Sequence, residues 1–323
     1  STRHSMDAYL DAGLNYFDTA YIYPGSEAAM GEILETLGVR DQVYIATKLP
    51  HYMVKKREDF DRFFDEELRR LRTDHVDYYL IHMLTDSKAW ERLIGLGILE
   101  WIAQKKASGQ IRQIGFSFHG NTAMFLKILE AYDWDFCQIQ YNYLDENTQA
   151  GRAGLQAAAA KGIPVVIMEP LKGGKLAGSL PPQAEVFWDE MSERKDPVDW
   201  AFSWVASQPG IMTILSGMND SAQVAHNLTL FETLRPGCLA DSDGAVIRKI
   251  AQTLKGMIAY DCTACKYCMP CPLEINITKI RHIMFRTELY HHFTASQLMQ
   301  EPTALLTERL SMTEVMKVFD KNH

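Results

Sequence analysis

The stretch VYIATKLPHYMVKKREDFDRFFDEELRRLRTDHVDYYLIH, residues 43–82, carries one complete unit of the fold. It opens on a short apolar run, Val43–Thr47. An amphipathic segment with helical spacing follows over Arg57–Leu71, and a second apolar run, Val76–His82, closes it. A strand, a helix and another strand in that order join parallel strands through a helical crossover.

The same unit repeats in both directions. Further strands are predicted at Asn15–Asp18, Ile111–Phe116, Phe136–Tyr141, Pro164–Met168 and Met212–Leu215. Helices are expected at Ala28–Leu37, Lys88–Lys106, Thr122–Ala131, Thr148–Ala160, Pro197–Ser207 and Ser221–Leu234, several closing on a stop signal such as Gly38, Gly109 or Gly162. Strict β-then-α alternation means a parallel sheet covered by helices. Seven strands are visible, and a helix-like segment at about Ser5–Leu14 precedes the first. An eight-stranded (β/α)8 TIM barrel whose first strand lies upstream of Ser1 fits this count; a doubly wound open sheet is the competing architecture. The chain begins with Ser1 rather than Met, which fits a trimmed beginning. Beyond Leu234 the alternation stops, so residues 1–240 are expected to form the barrel. Residues 241–323 form a smaller C-terminal helical segment, with a helix at Asp243–Ile258.

Bulk properties narrow the class of function. The 323 residues are 47% apolar and 23% charged, the balance of a soluble globular chain. A net charge of −8 and a pI near 5.7 argue against a nucleic-acid surface. No apolar run approaches the roughly 18 residues of a membrane span, and the N-terminus has no signal-peptide pattern, so a cytoplasmic protein is expected.

Four polar residues fall where the strands end. Asp18 ends one strand, Lys48 follows the next, His82 ends a third, and Tyr23 lies in the loop after the first. The C-terminal ends of parallel barrel strands open on one face, where these side chains can meet. Tyrosine, with an unperturbed pKa of about 10, is a poor proton donor at neutral pH. A neighbouring ammonium, Lys48, lowers that pKa by stabilising the phenolate. Asp18 is placed to be the counter-charge of Lys48, and a neutral His82 can hydrogen-bond a substrate carbonyl. Singly, each residue has a plainer reading: a turn residue, a solvated lysine, a packed aromatic, a satisfied core histidine. Together they describe a proton donor for an oxygen that becomes negative as hydride adds to its carbon.

The segments Asn15-Tyr16-Phe17-Asp18-Thr19-Ala20, Tyr23 with Ser26-Glu27, Ala46-Thr47-Lys48 and Leu80-Ile81-His82 resemble the signatures of the aldo-keto reductases, in that family's order and spacing. The likeness runs from about Ser5 to Leu234. It implies an Asp-Tyr-Lys-His tetrad at Asp18, Tyr23, Lys48 and His82, and an NADP or NAD cofactor serving a small carbonyl or alcohol substrate. Carboxamide-binding positions are implied at Ser117 and Gln138, with Met168 where the family commonly stacks an aromatic ring on the nicotinamide. The adenosine-phosphate loop resembles Ser216-Gly217-Met218-Asn219 followed by Gln223 and Asn227. Many relatives place a lysine and an arginine there for the 2′-phosphate, whereas this chain has Gly217 and Gln223, which leaves NADP and NAD both open. No Gly-x-Gly-x-x-Gly fingerprint follows a strand.

Four of the six cysteines, Cys262, Cys265, Cys268 and Cys271, recur every third residue, with Pro272 after the last. This run resembles the bacterial ferredoxin motif that holds a [4Fe–4S] cluster, except that two residues rather than three precede the last cysteine. Cys262, Cys265 and Cys268 match the run, and Cys271 is the candidate fourth ligand. Zinc is the alternative metal, although zinc sites usually split their thiolates into two separated pairs. A branch of the aldo-keto reductases ending in a comparable cysteine run looks like this chain throughout. The appended cysteines also raise a second reading, a cofactor-sensing or electron-relay module coupled to a ferredoxin-type redox partner.

Overall fold

A computed structural model describes residues 8–257, apart from 179, 194 and 219. The cysteine run at Cys262, Cys265, Cys268 and Cys271 and the rest of the tail lie outside the described residues. Among the described residues no helix is long and apolar enough to cross a membrane.

Among the described residues, seven parallel strands form one sheet in unbroken sequential order: β1 (Tyr16–Asp18), β2 (Tyr44–Leu49), β3 (Val76–Leu84), β4 (Ile111–Phe118), β5 (Phe136–Gln140), β6 (Val165–Met168) and β7 (Ile211–Ile214). A doubly wound sheet reverses its strand order at a switch point. The sequential order excludes it here. The helices between strands are α1 (Ser26–Leu37), α2 (Glu58–Leu71), α3 (Ser87–Gly95), α4 (Ile98–Ala107), α5 (Thr122–Glu130), α6 (Gly151–Ala160), the short α7 (Pro182–Glu185) and α8 (Pro197–Ala206), with α9 (Ser221–Phe231) and α10 (Asp241–Met257) after β7.

Alternation along the strands separates two apolar layers. Tyr79 faces outward, against Phe64 and Trp101 of the helices, while Phe116 packs on Phe125 and Trp134. Ala46, Leu80, Phe136 and Val166 form the inward cluster, with Tyr16, Tyr78 and Leu215 packed on it. Gly115 is part of this interior: a Cβ there would stand 2.6 Å from the Phe136 carbonyl and 2.7 Å from its ring, so no larger residue fits without moving β5.

Several boundaries differ from expectation, and the differences matter. The single helix expected at Lys88–Lys106 is two helices, parted at Gly97 with φ 87°. The helix expected from Thr148 begins at Gly151, because Gln149 takes a left-handed conformation, φ 58°. Lys48 and His82 sit inside β2 and β3 rather than after or at the end of them.

The described residues divide into two compact units, one running to Pro170 with Asp199–Leu239, the other comprising Leu171–Val198 and the chain from Ala240. The sheet lies in the first. In the second, α10 buries Val246, Ile247, Ile250 and Leu254. Asp243 there accepts from the Ser192 amide and hydroxyl at 2.8 and 2.6 Å.

Candidate active site

Lys48 is fully buried although it carries a charge, which demands partners. Its ammonium donates to Asp18 Oδ1 and to the Thr19 carbonyl, both at 2.6 Å. The register explains the meeting: Asp18 pairs with Ala46, so Lys48 stands two residues further along the same inward face. Burial pushes the Asp18 carboxyl above its ordinary range, and the Lys48 charge acts against that rise. The second carboxylate oxygen of Asp18 is buried without a partner among the described residues.

Tyr23 reaches this pair from a tight turn. Its amide donates to the Ala20 carbonyl, and the turn ends at Gly25, whose φ of 73° starts α1. Lys48 Nζ lies 5.3 Å from the Tyr23 ring centroid. The Tyr23 ring meets the His82 ring edge-on, centroids 5.9 Å apart at 85°. Tyr23 is 38% exposed while His82 is 1% exposed, so the tyrosine faces the opening and the histidine lies beneath. The four residues expected to converge do converge.

His82 owes its aim to a bulge. The β3–β4 register shifts between Ile81 and Leu84, and Met83 takes φ 59°. The Met83 amide leaves the ladder and donates to Ser117 Oγ at 2.9 Å, while its carbonyl accepts from His51 Nε2 at 3.4 Å. Burial, with Lys48, His119 and His51 nearby, holds the His82 imidazole well below its usual pKa, so it is neutral at pH 7. His119, after β4, is lowered to about 4 by burial, with Lys48 adding to the effect against a hydrogen bond to Gln149. This second neutral imidazole carries no motif that a sequence reading could single out.

An outer network, also unforeseen, braces the tetrad. Thr47 Oγ1 donates to buried Glu27 at 2.6 Å, and Arg70 of α2 pairs with the same carboxylate at 3.1 Å. Tyr79 donates to the buried Glu67 carboxyl at 2.7 Å. Glu67 is pushed well above its usual pKa by burial and then by Glu27. Lys48 is thus flanked by outward neighbours that tie β2 and β3 to α1 and α2.

The implied nicotinamide positions line the interior on successive strands: Ser117 on β4, Gln138 on β5 and Met168 at the end of β6. Gln138 Nε2 donates to Met168 Sδ at 3.6 Å, whereas Gln138 Oε1 is buried with no partner among the described residues. A buried amide oxygen left open in this way suits the amino group of a carboxamide. The implied phosphate loop follows β7. Asn227 donates to Ser216 Oγ at 3.1 Å, the Gln223 amide is capped by Asp220 at 2.8 Å, and Gly217 is exposed. Residues 215–231 contain no lysine or arginine. Among the described residues no group of three His, Cys, Asp or Glu could hold a metal ion.

A family model described as the aldo/keto reductase family matches residues 1–237. The NADH-specific methylglyoxal reductase of Escherichia coli is 24% identical over 302 residues, covering 77% of this chain and 88% of that protein. A second E. coli protein, the methylglyoxal reductase YeaE, is 25% identical over 267 residues, 80% of this chain and 87% of its own length. Among solved structures, the holo form of aldo-keto reductase AKR11C1 from Bacillus halodurans superposes with a TM-score of 0.64 at 22% identity, covering 77% of this chain and 86% of that one. That structural likeness carries the fold, and with it the sheet is TIM-barrel-like.

Proposed function

The chain belongs to the aldo/keto reductase family, NAD(P)-dependent oxidoreductases of carbonyl and alcohol groups, and from that premise we propose that it reduces small aldehydes or ketones, with Tyr23 as the proton donor. The observation that carries the assignment is the buried Lys48–Asp18 pair, 2.6 Å long, set beneath the Tyr23 ring with His82 at its edge.

When bound, a reduced nicotinamide supplies the hydride. Ser117 and Gln138 would hold its carboxamide and Met168 would pack on the ring face. Ser216, Gly217, Gln223 and Asn227 would meet the adenosine end. The residues of this chain do the rest. The neutral His82 hydrogen-bonds the substrate oxygen and fixes its orientation. Tyr23 passes its hydroxyl proton to that oxygen, and the Lys48 ammonium stabilises the phenolate left behind. Asp18 is the counter-charge of the buried Lys48 ammonium. In the reverse direction Tyr23, as phenolate, takes the alcohol proton.

The absence of a cation in residues 215–231 leaves nothing there to pair with a 2′-phosphate, which supports NADH as a good cofactor. Two of the relatives are named methylglyoxal reductases, which makes a small oxo-aldehyde the first substrate to try. The experiment is an anaerobic assay of a carbonyl panel that includes methylglyoxal, with each reduced nicotinamide. Steady oxidation of NADH by a panel member is expected; no turnover of any member with either cofactor overturns the reading.

Two further parts belong to the proposal. A closed eight-stranded barrel requires one more strand between β7 and β1, each paired on one side only among the described residues. The spacing of Cys262, Cys265, Cys268 and Cys271 supports a [4Fe–4S] cluster. A broad visible absorption, with four irons and four sulfides per chain, would bear out the cluster. Bound zinc in place of iron would overturn it.

A further inference from the structure

Two polar atoms inside the sheet share one face of β1 and have no protein partner among the described residues: the Tyr16 hydroxyl and Asp18 Oδ2. Phe17 between them points outward, its ring 6.3 Å from that of Tyr9, so Tyr16 and Asp18 both point inward. Residues two apart on a strand lie on the same face, about 6.6 Å apart along it, and the Asp18 charge acts on the Tyr16 hydroxyl. The neighbouring strand leaves the space. Asp18 pairs in register with Ala46, and Ala46 in turn with Tyr78, so the β2 side chain directly opposite Asp18 is only a methyl group, with Lys48 reaching Oδ1 from two residues further on. The Tyr16 ring packs on Tyr78 with centroids 5.0 Å apart, which fixes its tilt.

We propose that Tyr16 is a positioning residue of the active site, holding a buried water between its hydroxyl and Asp18 Oδ2, and so fixing the carboxylate that orients Lys48. This rests on the catalytic reading of Lys48 and Tyr23 given above. A buried carboxylate that accepts on one oxygen only is poorly stabilised as an ion. Lys48 takes Oδ1; the bridged hydroxyl supplies the donor for Oδ2 and holds the carboxylate plane. The polar site is of the kind that retains single waters, with two fixed partners and walls of Ala46 and Tyr78. Burial, with Asp18 and Tyr78 beside it, raises the Tyr16 hydroxyl well above its ordinary pKa, so it stays a donor throughout the working range. Among the described residues, the titratable groups facing this place are Lys48 and Tyr44 from β2, Tyr78 and His82 from β3, and Tyr23 and His119 from the loops after β1 and β4; the inward positions within β4 to β6 carry none.

The test is a double-mutant cycle of Tyr16→Phe and Asp18→Asn in the full chain, read by thermal unfolding and by turnover against pH. Tyr16→Phe removes one oxygen and keeps the ring. Expected are a lower Tm, a loss of about tenfold in kcat, as for other residues that act through a catalytic partner, and an acid limb of the pH profile moved upward by roughly half a unit or more, because the carboxylate protonates more readily. In the Asp18→Asn background, where the partner of the water is a neutral amide instead of a carboxylate, the same change should cost clearly less Tm than in the parent chain. A Tyr16→Phe protein with unchanged or higher Tm and a superimposable pH profile overturns the bridge, as do additive effects in the cycle. The Tm arm needs no catalysis. Absent coupling in an active enzyme therefore refutes the bridge alone, and absent turnover in the parent chain refutes the catalytic reading alone.

Discussion

At the scale of single residues, burial decides which protonation states the site can use. The Lys48 ammonium donates to Asp18 and to a backbone carbonyl, and its charge helps keep His82 and His119 neutral. The pH consequence is sharpest at His119, whose folded pKa is about 4 against an unfolded value of 6.5. A depressed histidine pKa means that the unfolded chain binds more protons below pH 6.5. Stability from a neutral His119 is therefore whole above that pH and is lost as pH falls from 6.5 towards 4. His119→Gln should remove this loss. Compared by urea unfolding at pH 7 and pH 4.5, the difference between parent and variant should change by on the order of 2 kcal/mol in favour of the variant. An unchanged difference would mean that the ring is solvated.

At the scale of elements, the alternation of strands and helices and the meeting of Asp18, Tyr23, Lys48 and His82 were open to sequence reasoning because both rest on local spacing. Asp18, Lys48 and His82 stand on three consecutive strands at the same end, and Tyr23 follows the first closely. What escaped depends on pairing between distant segments. The bulge at Met83 exists because β4 offers Ser117 Oγ to an amide that has left the ladder, and no residue near Met83 announces it. The break at Gly97 was signalled by Gly95 and Gly97 but overridden by a continuous amphipathic pattern. The Glu27–Thr47–Arg70 network joins residues 20 and 43 apart, and in the sequence Arg70 looks like an ordinary surface arginine. That network needs α1 and α2 to touch, and they do so at Gly31, where a Cβ would lie 2.4 Å from the Arg70 carbonyl oxygen. Gly31→Ala should thus cost about 1–3 kcal/mol of stability despite the better helix propensity of alanine. A thermal midpoint equal to that of the parent chain would show that the two helices part freely.

At the scale of the whole molecule, the sheet and its outer helices supply a rigid frame, and the site is built where the inward faces of β1 to β6 end. Five strands, β1 to β5, each contribute a polar side chain to one mouth and β6 contributes Met168, while the layer below is apolar: Ala46, Leu80, Phe136 and Val166. This division lets a charged lysine be held dry next to an open tyrosine. The proposed cluster draws on cysteines that follow the described residues in sequence, and its effect should be separable from the chemistry. Cys265→Ser is expected to abolish the iron–sulfur absorption and lower the thermal midpoint while leaving kcat for carbonyl reduction within about twofold, since the tetrad needs no ligand from the tail. A collapse of turnover at unchanged nicotinamide affinity would instead place the cluster in the electron path. The central claim is the proton donor. The most direct measurement is single-turnover oxidation of bound NADH by a carbonyl substrate, comparing the parent chain with Tyr23→Phe, alongside nicotinamide binding by fluorescence. The expected result is a rate lowered by roughly a hundredfold or more with cofactor affinity unchanged. A Tyr23→Phe protein that turns over at the parent rate would contradict the account.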